Sequence, residues 1–212
     1  MTAMPDRALI LVDIQNDFVP GGALAAREGD AVVPIANRLQ DAFELVVASR
    51  DWHPRDHGSF AANHPGKNVG DVINLNGLPQ ILWPVHCVQE TSGAEFVPGL
   101  KTDRIARVFF KGIDRGIDSY SAMFDNAHRR STGMSEYLRE QGVRDVYLCG
   151  IATDYCVKFT ALDARQLGFT VHVIEDGCRG VNLRPGDSDS AVADMRAAGV
   201  DVVRSDDVAR GR

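Results

Sequence analysis

The sequence predicts a three-layer α/β/α fold around a central, mostly parallel sheet, on three observations. Short, continuously apolar runs recur along the chain, amphipathic segments of helical spacing separate them, and unusual polar residues stand where the runs end. Strand–helix alternation of this kind builds a parallel sheet with helices on both faces. A length of 212 residues suffices for one domain with a large core. The expectation is a single domain over 1–212 with an elaborated loop at about 53–84.

Each element has its own justification. A-L-I-L-V at 8–12 is wholly apolar, as a strand covered on both faces must be. Residues 30–43 have helical apolar spacing behind an aspartate, Asp30, suited to an N-cap. L-V-V-A-S at 45–49 is a second buried strand, and R-I-A-R-V-F-F at 104–110 a third beyond the long loop. S-E-Y-L-R-E-Q-G at 135–142 reads as a helix closed by glycine. V-Y-L-C at 146–149 is the next strand, and the helix after Cys156 runs to about Gly168. F-T-V-H-V-I at 169–174, a helix at about 188–198 and V-D-V-V at 200–203 complete the alternation.

Composition removes several classes of function. A net charge of −6 without a Lys/Arg run gives no nucleic-acid or membrane surface. The apolar runs are far shorter than a membrane span. Asp6 and Arg7 interrupt any leader-like pattern before 8–12, so the cytosol is the expected compartment. Four cysteines, widely spaced and without a C-x-x-C pair, argue against a disulfide framework. Monomer and homo-oligomer both accord with the sequence.

In parallel α/β sheets, ligands bind beyond the carboxyl ends of the strands. Asp13, Asp51 with His53, Lys111 and Cys156 all fall at such ends. A carboxylate leaving a buried strand is partly desolvated, which raises its pKa toward that of a useful base. Lys111 offers a fixed positive charge that favours a thiolate, and a helix start at Cys156 acts in the same direction. Cys149, inside its strand, fits a core role, which leaves Cys156 as the candidate nucleophile. Amides at Ala152 and Cys156 are placed to form an oxyanion hole. A second group is Asp51-x-His53 with His86 in W-P-V-H-C. One carboxylate and two imidazoles suit zinc or a similar first-row ion, with His57 and Ser59 both open as a further ligand.

The motifs L-V-D-I-Q-N-D-F, D-W-H-P, W-P-V-H-C, F-K-G, D-S-Y-S-A, G-I-A-T-D-Y-C-V-K-F-T and D-G-C-R-G-V-N occur in that order over nearly the whole chain. Together they resemble the nicotinamidases (pyrazinamidases) of the isochorismatase-like cysteine hydrolase superfamily. The resemblance implies an isochorismatase-like hydrolase fold and a catalytic triad of Asp13, Lys111 and Cys156. It implies one divalent ion, zinc or else iron or manganese, on Asp51, His53 and His86. It also implies a cis Ile151-Ala152 peptide and a substrate pocket with Phe18, Trp83 and Tyr120. The implied reaction is hydrolysis of nicotinamide, and of pyrazinamide, through a cysteine thioester in NAD salvage. Isochorismatases and N-carbamoyl amidohydrolases of the same superfamily are the rival activities. A catalytically silent binding module is the rival of another class.

Overall fold

The structure is a computed structural model that describes residues 5–210. Both ends of the expected domain, 1–4 and 211–212, therefore lie outside the described residues. Six strands form one sheet: β1 (Arg7–Val12), β2 (Leu45–Asp51), β5 (Ile105–Lys111), β6 (Asp145–Ile151), β7 (Thr170–Arg179) and β8 (Asp201–Val203). Their order is β5-β2-β1-β6-β7-β8, and every neighbouring pair is parallel. Helix α1 (Val32–Gln40) packs on β1, β6 and β7 and touches α5 (Ser205–Arg210). Helix α3 (Lys158–Gln166) packs on β7 and touches α4 (Asp187–Ala197). Helix α2 (Met134–Glu140) brings Tyr137 to Phe109 of β5. The sheet is thus the middle layer of three. Residues 8–12 are completely buried, which is what their unbroken apolar run requires of a central strand.

The strand predictions hold with small extensions at the carboxyl ends, and the extensions matter. Asp51 and Lys111 are the last residues of β2 and β5, and they are partners in register. Their side chains therefore begin side by side at the sheet edge. Gly150, beside Val12 in the ladder, has φ 136. A Cβ there would collide with the Val12 carbonyl, so glycine is what lets the first and sixth strands close up beneath the site.

Three expectations need correction. Asp30 does not cap α1: it lies within a 3-10 turn, Gly29–Ala31, and the cap position is Ala31, without a side-chain hydrogen bond. The long loop contains a hairpin of β3 (Val72–Leu75) and β4 (Leu78–Ile81). Its two-residue connection, Asn76-Gly77, has φ 50 and 93, and Asn-Gly is the preferred pair for a turn with two positive φ angles. Lastly, Cys156 does not open an α-helix. Residues Thr153–Val157 form a π-turn, with the Val157 N–H donating to Ala152 O at 3.0 Å, and α3 begins only at Lys158.

Candidate active site

The strand ends gather Asp13, Lys111 and Cys156 as expected. Lys111 is 1% exposed, so the ordinary reading of a surface lysine does not apply. Its Nζ donates to Asp51 Oδ1 at 2.5 Å, to Ser119 O at 3.0 Å and to Cys156 Sγ at 3.4 Å. Asp13 Oδ2 forms an ion pair with the same Nζ at 2.9 Å, so Lys111 is shared between two carboxylates, a carbonyl and the thiol. The other oxygen, Oδ1, accepts from Ser49 Oγ at 2.7 Å. Ligand atoms of Asp13, Asp51 and Cys156 lie within 4.8 Å of one another. One Asp13 oxygen is thus held by Ser49 and the other by Lys111, and the carboxylate as a whole lies close to the thiol.

Burial decides the protonation states. It pushes the Cys156 thiol well above the ordinary range; Lys111 opposes this, while Asp13 and Asp51 add to it. The expected lowering by a helix start and by Lys111 is therefore outweighed by burial at Cys156. Burial also raises Asp13, more than Lys111 lowers it. Burial alone would depress Lys111, but Asp13 and Asp51 hold it well above the usual lysine range. Asp51 goes the other way: burial pushes it up, but Lys111 and His53 keep it ionised far below the carboxylate range. A lysine and a thiol held up, a carboxyl raised and a carboxylate lowered thus share one buried site.

Asp51 also faces the second group. Its Oδ2 lies 3.6 Å from His53 Nε2 and 3.8 Å from His86 Nε2. His53 Nδ1 is 2.9 Å from Gly112 O and His86 Nδ1 is 2.8 Å from Pro84 O. A carbonyl can only accept, so each Nδ1 carries a proton and each Nε2 points toward Asp51. Burial pushes His53 down, but Asp51 raises it above the ordinary imidazole range. Burial holds His86 down at about 4, which keeps it neutral. Ligand atoms of Asp51, His53 and His86 lie within 4.8 Å of one another. This donor set, with its tautomers fixed from behind, fits a divalent first-row ion. His57 and Ser59 turn to each other, with His57 Nδ1 2.7 Å from Ser59 Oγ. Gly112 is required here as well, because a Cβ would collide with the His53 ring.

One cavity is lined both by Cys156 and by Asp51, His53 and His86. Phe18, Trp83, Tyr120 and Ala152 line it, as the resemblance implies. The Ile151-Ala152 peptide is cis. Tyr155, Asp118, Leu24 and Val181 also line the cavity, and no role was expected for them. Tyr155, Asp118 and Val181 sit inside motifs already singled out, so motif membership was the available signal. Tyr155 meets Trp83 edge to face at 4.9 Å. The remaining histidines expected to pack or face solvent do so: His172 stacks on Tyr147, and His128 stacks on Phe124. All four cysteines are free, and Cys149 is fully buried in its strand.

Residues 7–207 match the isochorismatase domain family. The chain is 54% identical over 200 residues to the nicotinamidase of Escherichia coli K12, covering 92% of this chain and 93% of that one. The structure is similar to that of an Acinetobacter baumanii nicotinamidase and pyrazinamidase, with a TM-score of 0.93 and 45% identity, covering 98% and 100% of the two chains. It is also similar to a Pyrococcus horikoshii pyrazinamidase solved in complex with zinc, with a TM-score of 0.77 and 39% identity, covering 94% and 99%. A parallel sheet with its polar residues at one edge, and matches of this length and identity, lead to one conclusion: the chain belongs to the isochorismatase domain family.

Proposed function

We propose that this chain hydrolyses nicotinamide, and also pyrazinamide, with Cys156 as nucleophile, Asp13 as general base and acid, and Lys111 as the fixed cation between them. The observation that carries this reading is the buried convergence of Asp13, Lys111 and Cys156, with Lys111 Nζ 2.9 Å from Asp13 Oδ2 and 3.4 Å from Cys156 Sγ. Asp13 takes the thiol proton as sulfur attacks the carboxamide carbon. Negative charge then develops on the former carbonyl oxygen, which the amides of Ala152 and Cys156 stabilise. Collapse breaks the C–N bond, the Asp13 proton goes to the departing nitrogen, and ammonia leaves a thioester on Cys156. Asp13 next accepts a proton from water as it attacks that thioester, and returns it to sulfur, releasing nicotinate. A raised Asp13 pKa narrows the gap between base and thiol, so proton and sulfur move together with less uphill transfer. Lys111 remains charged throughout and offsets the sulfur and oxyanion charge.

Asp51, His53 and His86 would hold the divalent ion, zinc or else iron or manganese. Bound there, it would supply an electrophilic anchor for the pyridine nitrogen. Phe18, Trp83 and Tyr120 line the same cavity and would enclose the ring, so walls and ion together would set its orientation. The residues form a single domain with an elaborated loop at about 53–84, acting on a small molecule in the cytosol within NAD salvage, as monomer or homo-oligomer. Among the described residues no helix is long and apolar enough to cross a membrane. Ammonia release from nicotinamide by the wild-type chain and by Cys156→Ala tests the reading. Turnover by the first and none by the folded second is expected; equal release by both would overturn the covalent route.

A further inference from the structure

Asp154 is 7% exposed and lies two residues before the nucleophile. Its carboxylate does not face the catalytic lysine. Instead Oδ1 accepts the Val181 N–H at 2.9 Å and Oδ2 accepts the Asn182 N–H at 2.7 Å. Both oxygens thus grip two successive amides of the segment that follows β7. The same segment is built around that grip. A Cβ at Gly180 would stand 3.0 Å from Asp154 Oδ1 and would collide with Ser188 Oγ. Asn182 has φ 51, and its Oδ1 accepts the Ser188 N–H at 2.9 Å, in the first turn of α4. Val181, held between these two anchors, lines the cavity together with Cys156. The next residues of the segment, Leu183 and Arg184, border a second groove that Asp154 and Tyr155 also line. The segment therefore contributes to the walls of both the reaction cavity and this groove.

We infer that Asp154 is a positioning residue that fixes Val181 as a wall of the substrate cavity, and so sets affinity for the ring and shields the nucleophile. The inference rests on the proposed amide hydrolysis for its kinetic part only. Two charge-assisted bonds to adjacent amides define both the position and the tilt of one peptide. A single bond would leave rotation free. Asp154→Ala frees the segment at one end while Asn182 and α4 still hold the other. Val181 then no longer presses on a bound ring, so ground-state and transition-state binding weaken alike.

The test uses the full-length, metal-loaded chain. Asp154→Ala should raise KM for nicotinamide about tenfold with kcat changed less than threefold, and Asp154→Asn, which keeps one acceptor oxygen, should fall between it and wild type. Val181→Ala, which leaves the nucleophile turn untouched, should reproduce the KM rise and serves if Asp154→Ala fails to fold. A second readout needs no turnover: titration of the thiols with Ellman's reagent. Cys156 should react several-fold faster in Asp154→Ala, while Cys87, Cys149 and Cys178 stay protected as in wild type. A loss confined to kcat would overturn the inference, because Asp154 would then serve only the turn that carries Cys156. An unchanged Cys156 rate, or simultaneous reaction of all four thiols, would overturn it too. Absence of ammonia release by wild type would instead refute the proposed reaction and leave the thiol result to be judged by itself.

Discussion

Ser49→Ala isolates the hydrogen bond that holds the idle oxygen of the proposed base. Ser49 and Asp13 are both 0% exposed, and Oγ donates to Oδ1 at 2.7 Å. A bond to a charged acceptor contributes roughly 1.5–3 kcal/mol, against about 1 kcal/mol for a neutral one. Deleting it therefore disfavours the carboxylate over the carboxylic acid by about 1 kcal/mol or somewhat more. At about 1.4 kcal/mol per pH unit, the already raised Asp13 pKa should climb by about one further unit. Asp13 must be ionised to accept the thiol proton, so the acid limb of kcat/KM should move up by that amount. Wild-type activity should itself fall at a pH above the ordinary carboxylate range, because burial raises Asp13. The stability sign follows the same logic. A raised carboxyl favours its neutral form in the fold, so its contribution is full below an unfolded value of roughly 3.9 and is lost as pH rises through the raised one. Ser49→Ala should accordingly cost more stability at pH 8 than at pH 4. Ammonia release measured across pH, with thermal melts at both extremes, checks both statements. An acid limb that stays in place or moves down would refute the assignment of Asp13 as the titrating base.

Cys149→Ala should lower stability by roughly 1 kcal/mol in denaturant titration while leaving kcat intact, in contrast to the loss of turnover in Cys156→Ala. Lys111→Met should be costly in two measurable ways. It strands Asp13 and Asp51 without their buried counter-charge, worth about 3–5 kcal/mol in an unfolding curve, and it should slow iodoacetamide alkylation of Cys156 and move its pH midpoint upward, because the nearest cation is gone. Removal of the divalent ion by chelation, or His86→Ala, should raise KM for nicotinamide strongly while changing the poorer turnover of benzamide little; an equal response of the two amides would exclude a role for the ion at the ring nitrogen.

What the sequence disclosed and what it withheld have physical causes. Unbroken apolar runs can only be covered strands, and the rule that ligands lie beyond their carboxyl ends placed Asp13, Asp51, Lys111 and Cys156 at one edge without any contact information. The thiol's protonation state was not accessible that way. Local sequence displays the turn and the lysine, but the burial of Cys156 and the two carboxylates around it come from four separate strand ends. The β3–β4 hairpin was hidden because its strands are short and, apart from Gln80, not buried, although Asn76-Gly77 was a legible turn. Asp118 and Gln80 were overlooked for a related reason. Their bond, 3.2 Å from Nε2 to Oδ2, spans 38 residues, and neither residue carries a local signature of it.

Asp51 divides its two oxygens between Lys111 on one side and the paired imidazoles on the other. For redesign this makes it a shared part. An engineer seeking an amidase for rings without nitrogen would be tempted to strip out the whole ion site, carboxylate included. Doing so would leave Lys111 with Asp13 as its only carboxylate partner, so the cation would hold Asp13 ionised more strongly and disfavour the proton it must receive. The imidazoles are the replaceable half of the site; the carboxylate between them and the lysine has to be inherited.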